Sequence, residues 1–213
     1  MDNKLFILLD RSGSMDSMWS EAIGGINGYI NEFKLNNKNA DVQLAVFDNL
    51  SYDVIRNTTV MNWEPVKKEE VQPRGGTPLL DASARIIHNL LDSGAKKAVL
   101  VIVTDGHENN SVKYRASEVQ ALTKKINDSE NYDVVFLGAN FNNIGEVALS
   151  SYGVKDNSRF MATSIAGFGS ALNSTATATM DFMNTGIKKT SFYSSNDKMN
   201  AISNNNITSS TTN

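Results

Sequence analysis

The sequence predicts an α/β fold with a doubly wound, Rossmann-like sheet that is mostly parallel, has one antiparallel edge strand and carries helices on both faces. Short apolar runs alternate with amphipathic segments of helical periodicity. The two most apolar runs, residues 5–9 and 98–104, are each followed by an aspartate, so we expect them to be central neighbours. Residues 42–47 and 51–55 are strand-like runs joined by a short polar link, a pattern typical of a hairpin.

The first strand leads into an amphipathic helix, from Met15 to about Phe33, in which apolar residues recur every three or four positions. Gly24, Gly25 and Gly28 lie inside this helix. Because each glycine costs about 1 kcal/mol relative to alanine in a helix, we interpret them as points of close packing against the sheet. The hairpin follows, and then a polar, irregular segment over residues 57–74.

A second helix is predicted to begin at Pro78, with Thr77 as its N-cap, and Gly94 is expected to close it. The remaining predicted elements are a strand at 98–104, a helix at about 113–127, a strand at 133–138, a short helix at about 144–151, a weaker strand at 159–162 and a last helix from about Ile165 with Phe168, Leu172, Ala176, Met180 and Met183 on one face. Residues 1–190 are therefore expected to form one domain, and the polar residues 191–213 a disordered tail.

Composition excludes several classes of protein. With 213 residues and 40% hydrophobic content, the chain can bury one sizeable core. The net charge of -3 provides no basic field for a phosphate backbone, so nucleic-acid binding is disfavoured. The absence of cysteine rules out thiolate metal sites, disulfides and cysteine nucleophiles. No apolar run approaches the roughly 20 residues that span a bilayer, and no leader pattern follows Met1, so a cytoplasmic protein without membrane contact is expected.

Oxygen donors gather directly after the first strand. Asp10, Ser12 and Ser14 supply one carboxylate and two hydroxyls within one turn, and Gly13 lets the backbone bend between them. Such donors suit a hard divalent cation. Thr77 follows two glycines, and Asp105 follows the strand at 98–104. Since ligands in doubly wound sheets bind beyond the carboxyl ends of the strands, we expect these three segments to meet.

This pattern, Asp-x-Ser-x-Ser followed by a threonine and then an aspartate, resembles the metal-ion-dependent adhesion site of von Willebrand factor type A domains. The resemblance covers about residues 3–185. It includes a similarity to domains of the soluble prokaryotic or phage type, among them domains that resemble tellurium-resistance proteins, which suggests an adaptor in a cytoplasmic assembly. It implies that Ser12, Ser14 and Thr77 bind the metal through hydroxyl oxygens, while Asp10 and Asp105 act mainly through bound waters. The metal would be Mg²⁺, or alternatively Mn²⁺ or Ca²⁺.

The resemblance also implies a non-enzymatic adaptor. A protein partner would offer a glutamate or aspartate side chain to complete the metal's coordination. Two alternatives stay open: a metal-dependent hydrolase acting on phosphate esters, which would use the same acidic edge, and a structural subunit that the metal only stabilises. A Ser/His/Asp hydrolase is weaker, because the chain lacks a Gly-x-Ser-x-Gly motif.

Simpler roles are possible for single residues. Ser14 and Thr77 could each cap a helix, and Asp10 or Asp105 could accept hydrogen bonds from loop amides. His107 and Glu108 follow Asp105 and should lie near the rim, where Glu108 is expected to be solvated or to support a ligand without binding metal itself. Arg11 and Met15 flank the first motif and could touch a partner.

Overall fold

The computed structural model describes residues 2–105, 108–139, 152–153, 159–162 and 165–188. These residues form a six-stranded sheet in the order β3-β2-β1-β4-β5-β6, flanked by helices. The strands are β1 (Asn3–Asp10), β2 (Asp41–Phe47), β3 (Tyr52–Thr59), β4 (Lys97–Thr104), β5 (Tyr132–Ala139) and β6 (Arg159–Ala162). The described α-helices are α1 (Trp19–Leu35), α2 (Leu79–Leu91), α3 (Ala116–Asp128) and α4 (Ile165–Thr185).

The strand order reverses beside β1. This strand pairs in parallel with β2 on one side and with β4 on the other, and Leu9 lies opposite both Val46 and Val103. The two most apolar runs are therefore neighbours, as predicted. Their carboxyl ends lie at the point where the chain changes direction across the sheet, which is where ligands bind in folds of this kind.

Helices cover both faces of the sheet, as predicted. Leu5, Ile7 and Leu9 face α1 and α4 in one core cluster, while Phe6 and Leu8 face α2 and α3 in the other. Successive side chains of a strand point to opposite faces, so a continuous apolar run such as β1 fits a strand that is buried on both sides.

The antiparallel edge is the β2–β3 hairpin, in which Asp41 pairs with Thr59 and Phe47 with Tyr52. The turn is held by Asp48, whose Oδ1 atom accepts hydrogen bonds from the backbone N–H groups of Leu50 (2.6 Å) and Ser51 (2.8 Å). β3 extends to Thr59, past the predicted end at residue 55, because pairing with β2 continues along residues whose sequence looks irregular.

The first helix differs from its prediction. A 3-10 helix, Gly13–Met18, precedes α1, which begins at Trp19. Short 3-10 turns are frequent at helix N-termini, and this one lets the chain turn directly after the oxygen-donor motif.

The interpretation of the three glycines is correct only in part. An ideal Cβ atom at Gly25 would lie 2.4 Å from Leu172 Cδ1, whereas Gly24 and Gly28 have nothing within 4 Å. The close packing is thus at Gly25 alone, and its neighbour is α4, not the sheet. The hydrophobic pattern of the α1 sequence does not show which of its glycines packs against another helix, so the three could not be told apart before the structure was known.

Some predictions fall outside the described residues: the short helix at about 144–151, the position of His107 and the tail at 191–213. Among the helices that are described, none has the length and apolar character needed to cross a bilayer.

Candidate metal-ion site

Asp10 ends β1 and is fully buried at the carboxyl edge of the sheet. Both oxygens of its carboxylate are engaged: Oδ1 accepts a hydrogen bond from the Ser12 N–H (2.7 Å), and Oδ2 accepts one from the Thr104 hydroxyl (2.7 Å). These bonds fix the orientation of the carboxylate. They also join the end of β1 to the end of β4.

Burial raises the pKa of Asp10 to about 6, although hydrogen bonds from Thr104 and Ser12 act in the opposite direction. The negative charge of Asp105, which follows β4, raises the pKa of Asp10 slightly further. Asp105 is itself buried. A nearby positive charge would favour the ionised form of Asp10.

Ser12 and Ser14 bring their hydroxyl groups together after the bend at Gly13. Their Oγ atoms are 3.0 Å apart. Ser12 is buried, whereas Ser14 is exposed to solvent. The hydroxyl pair therefore extends from the buried edge of the sheet to the molecular surface.

Thr77 is brought to the same edge by a contact between two loops. The Gly13 N–H donates to the carbonyl of Gly75 at 3.0 Å, two residues before the threonine. Thr77 is buried, with 1% of its surface exposed. The structure thus brings the five predicted donor residues to one region: Asp10, Ser12, Ser14, Thr77 and Asp105.

The helix-capping alternative is wrong for both hydroxyl residues. Pro78 occupies the N-cap position of α2, one residue later than predicted, and makes no side-chain cap bond. Ser14 lies inside the 3-10 helix, whose N-cap is Ser12, and the N-cap of α1 is Met18. A proline at the N-cap cannot accept a hydrogen bond through its side chain, so α2 needs another partner for its first N–H groups.

Glu108 is that partner. Its Oε2 atom accepts a hydrogen bond from the Leu80 N–H at 2.9 Å, and its Oε1 atom accepts from Asn110 and Ser111 N–H groups. Of the two roles expected for Glu108, the solvated side chain is wrong, because the residue is only partly exposed and its carboxylate accepts bonds from the backbone. The other role, support of a ligand without binding metal, stays a prediction. In the opposite direction, the Asp81 carboxylate of α2 accepts hydrogen bonds from the backbone N–H groups of residues 112–114. The loop after β4 is thereby fastened to the start of α2.

Arg11 and Met15 are not available to a partner. Arg11 is 6% exposed, and its guanidinium donates to Asp48 (2.8 Å), Asp53 (2.6 Å) and Ser51. Met15 is completely buried in the core. Arg11 is buried by its ion pairs and Met15 by apolar packing. The suggestion that both residues contact a partner is therefore wrong.

Two asparagines at the site were missed. Asn49 binds Gly76 and Asn109 binds Thr77 through backbone and side-chain hydrogen bonds. Each partner lies far away along the chain, and an isolated asparagine in a loop carries no local pattern that would reveal such a bond.

The candidate site is not a carboxylate cluster. Within the ranges that the structure describes, no group of three or more His, Cys, Asp or Glu side chains is arranged to hold a metal ion. The available donors are instead two carboxylates, of Asp10 and Asp105, and three hydroxyls, of Ser12, Ser14 and Thr77. Any cation there would have to suit mixed, largely neutral oxygen donors.

Solved structures share this fold at low sequence identity. The chain is similar to the PilB minor pilin from Streptococcus sanguinis, with a TM-score of 0.66, 14% identity and coverage of 83% of this chain and 61% of that chain. It is similar to the SpaC pilus adhesin from Lactobacillus rhamnosus GG, with a TM-score of 0.64, 14% identity and coverage of 83% and 30%. It is also similar to a von Willebrand factor type A protein from Catenulispora acidiphila, with a TM-score of 0.63, 13% identity and coverage of 84% and 43%.

These likenesses establish the fold, and the chain spans less than two thirds of the length of each structure. No curated protein sequence gives a significant match. The family model for the von Willebrand factor type A domain matches residues 4–174, which is most of the sequence. The chain therefore belongs to the von Willebrand factor type A domain family, a family of protein-interaction modules.

Proposed function

We propose that this chain is a metal-dependent protein-interaction module, which binds an acidic side chain of a protein partner through a divalent cation at the carboxyl edge of the sheet. The observation that carries the proposal is the pair of hydroxyls of Ser12 and Ser14, 3.0 Å apart, directly beyond the buried carboxylate of Asp10. Three distant segments of the chain contribute oxygen donors to this edge.

The donor set fits Mg²⁺, with Mn²⁺ or Ca²⁺ as alternatives. Hydroxyls of Ser12, Ser14 and Thr77 would hold the ion directly, while the carboxylates of Asp10 and Asp105 would support it through water. The hydrogen bonds to both oxygens of Asp10 favour this supporting role. When bound, the cation supplies a coordination position that a carboxylate oxygen can fill.

A partner could reach the donors from solvent. Gly13 and Ser14 are exposed, as are Gly75 and Asn109 on the two adjoining loops, whereas Ser12 and Thr77 lie beneath them. This arrangement offers a shallow, polar approach to a buried set of oxygens. An acidic side chain that projects from a partner's surface would fit this approach in shape and would match the bound cation in charge.

Metal binding is tested by titrating Mg²⁺ and Mn²⁺ into the purified chain by calorimetry. Asp10→Ala and Ser12→Ala are expected to lose binding and the rise in melting temperature that metal produces. Ser17→Ala is the control, because Ser17 is an exposed serine of the 3-10 helix that follows Ser12 and is not a candidate donor. Unchanged affinity in Asp10→Ala would refute the site.

The interaction itself is tested by capture of partners from the native host in the presence and absence of EDTA. Chelator should abolish association while circular dichroism shows an intact fold. Association that persists in EDTA would favour the structural-subunit alternative. Hydrolysis of a phosphate-ester panel by the wild type, lost in Asp10→Asn, would instead replace the adaptor with the hydrolase. A cytoplasmic location stays a prediction.

A further inference from the structure

Two asparagines hold the backbone on either side of the peptide that links Gly76 to Thr77. The Gly76 N–H donates to Asn49 Oδ1 (2.9 Å), and the Asn49 N–H donates to the Gly76 carbonyl (3.0 Å). The Thr77 N–H donates to Asn109 Oδ1 (2.8 Å), and the Asn109 N–H donates to the Thr77 carbonyl (3.1 Å). Each asparagine thus satisfies both backbone groups of one residue.

The glycines of this segment make the contacts possible. A Cβ atom at Gly75 would lie 1.9 Å from Asn49 Oδ1, and one at Gly76 would lie 2.9 Å from Asn109 Oδ1 and 1.7 Å from Asn110 Oδ1. Gly75 also has a positive φ of 66°, which favours glycine. The asparagine side chains therefore occupy the space that larger residues would need.

The two asparagines come from segments that themselves belong to the site. Asn109 follows Asp105 by four residues, so its bond to Thr77 couples two segments that carry candidate donors. Asn49 follows Asp48, which binds both Arg11 (2.8 Å) and Arg74 (2.6 Å). The β2–β3 turn thereby holds both Arg74 and Gly76.

We propose that Asn49 and Asn109 are positioning residues, which fix the backbone of Thr77 and so place its hydroxyl for the divalent cation. This inference rests on the proposed metal site. A hydroxyl on a short side chain follows its own backbone closely, so loss of either asparagine lets the donor move away from Ser12 and Ser14. Residues that orient metal ligands typically contribute about 10- to 100-fold to metal affinity.

Asn27 provides a matched control elsewhere in the chain. Its Oδ1 atom accepts the Val66 N–H (2.9 Å), and its Nδ2 group donates to the Val66 carbonyl (2.8 Å). As at Asn49 and Asn109, a side-chain amide oxygen accepts a loop N–H, but Asn27 joins α1 to a segment without candidate donors. Its side chain makes two further bonds, to the Val66 carbonyl and from Trp63 Nε1 (3.2 Å), so Asn27→Ala removes more side-chain hydrogen bonds than either site variant. Asn27→Ala therefore reports the effect of losing such bonds on stability alone.

The experiment measures Mn²⁺ affinity by calorimetry for the wild type, Asn49→Ala, Asn109→Ala and Asn27→Ala, with thermal unfolding in EDTA to verify folding. Affinity is expected to fall about 10- to 100-fold in the two site variants and to stay unchanged in Asn27→Ala. In a Thr77→Val background, Asn109→Ala should have no further effect, because it acts through the missing hydroxyl. If an alanine variant does not fold, the serine variant at the same position is titrated with the same expectation.

The outcomes separate the two proposals. Wild-type affinity in both site variants, together with lost binding in Asp10→Ala, would overturn the positioning role and leave the metal site standing. An equal loss in Asn27→Ala, or an undiminished effect of Asn109→Ala in the Thr77→Val background, would also overturn it. A wild type that binds neither Mg²⁺ nor Mn²⁺ would overturn both proposals.

Discussion

The hydroxyl of Thr104 donates a 2.7 Å hydrogen bond to Oδ2 of Asp10, so the last residues of β4 and β1 are joined through their side chains. Both residues are fully buried. The bond fixes the carboxylate at the switch point of the sheet and links the first candidate donor segment to the strand that precedes Asp105.

Thr104→Val removes this bond while keeping the shape of the side chain. We expect a loss of about 1 to 3 kcal/mol in the free energy of unfolding, because the partner is a buried group that becomes less satisfied. Urea denaturation measures the loss. The free energy lost on Thr104→Val should differ between the wild type and an Asp10→Asn background. If the losses from the two substitutions simply add, the two side chains are not directly coupled.

The pH dependence of the metal-free protein follows from the pKa of Asp10, which burial raises to about 6. In the unfolded chain an aspartate titrates near 3.9. The folded state therefore binds this proton more tightly, and the stabilisation, present in full below about pH 4, is lost as pH rises through about 6. The loss is on the order of 3 kcal/mol.

Denaturation of the metal-free wild type and of Asp10→Asn over this pH range measures the effect, since their difference removes titrations that both proteins share. The wild type should lose stability relative to the variant as pH rises. If the wild type instead gains stability relative to Asp10→Asn as pH rises, the fold stabilises the ionised form of Asp10, which would contradict the prediction. Protons should also compete with metal, so affinity is expected to weaken below about pH 6.

The buried ion pair of Arg11 and Asp48 predicts a large cost for removing one partner. Their Nε and Oδ2 atoms are 2.8 Å apart, and their side chains are 8% and 0% exposed. Asp48→Ala would leave the Arg11 charge with Asp53 as its remaining carboxylate partner and would also remove the acceptor of the Leu50 and Ser51 N–H groups. We expect a combined loss of about 3 to 5 kcal/mol. The control is Asp2→Ala, which breaks the exposed pair with Lys96 and should leave stability unchanged within error in denaturant unfolding.

Two adjacent glycines of α1 should respond in opposite directions to alanine. At Gly25 the new methyl group would meet Leu172 and Phe168 of α4, so we expect destabilisation of about 1 to 3 kcal/mol. At Gly24 nothing lies within 4 Å, so the better helix propensity of alanine should stabilise by about 0.5 to 1 kcal/mol. Equal effects in thermal unfolding would show that α4 does not pack against Gly25.

Periodicity alone was enough to predict most of the architecture. Residues 5–9 and 98–104 are short, continuous apolar runs, which is typical of strands buried on both faces, and the aspartates that follow them mark the carboxyl edge of the sheet. The family motif likewise selected the candidate donor residues, whose role stays a prediction. Boundaries were less predictable, as the 3-10 helix before α1 shows, because hydrogen bonds at element ends depend on neighbouring loops.

By itself the sequence determined the order of strands and helices, the sheet's two buried central strands and the kinds of oxygen donor at their ends, because these depend on local patterns of apolar and polar residues. Only the tertiary structure decided that Arg11 turns inward, that Glu108 serves the start of α2 and that Asn49 and Asn109 hold the segment of Thr77. These contacts join residues that are 27 to 37 positions apart, and a hydrogen bond across such a distance depends on how the loops meet in space.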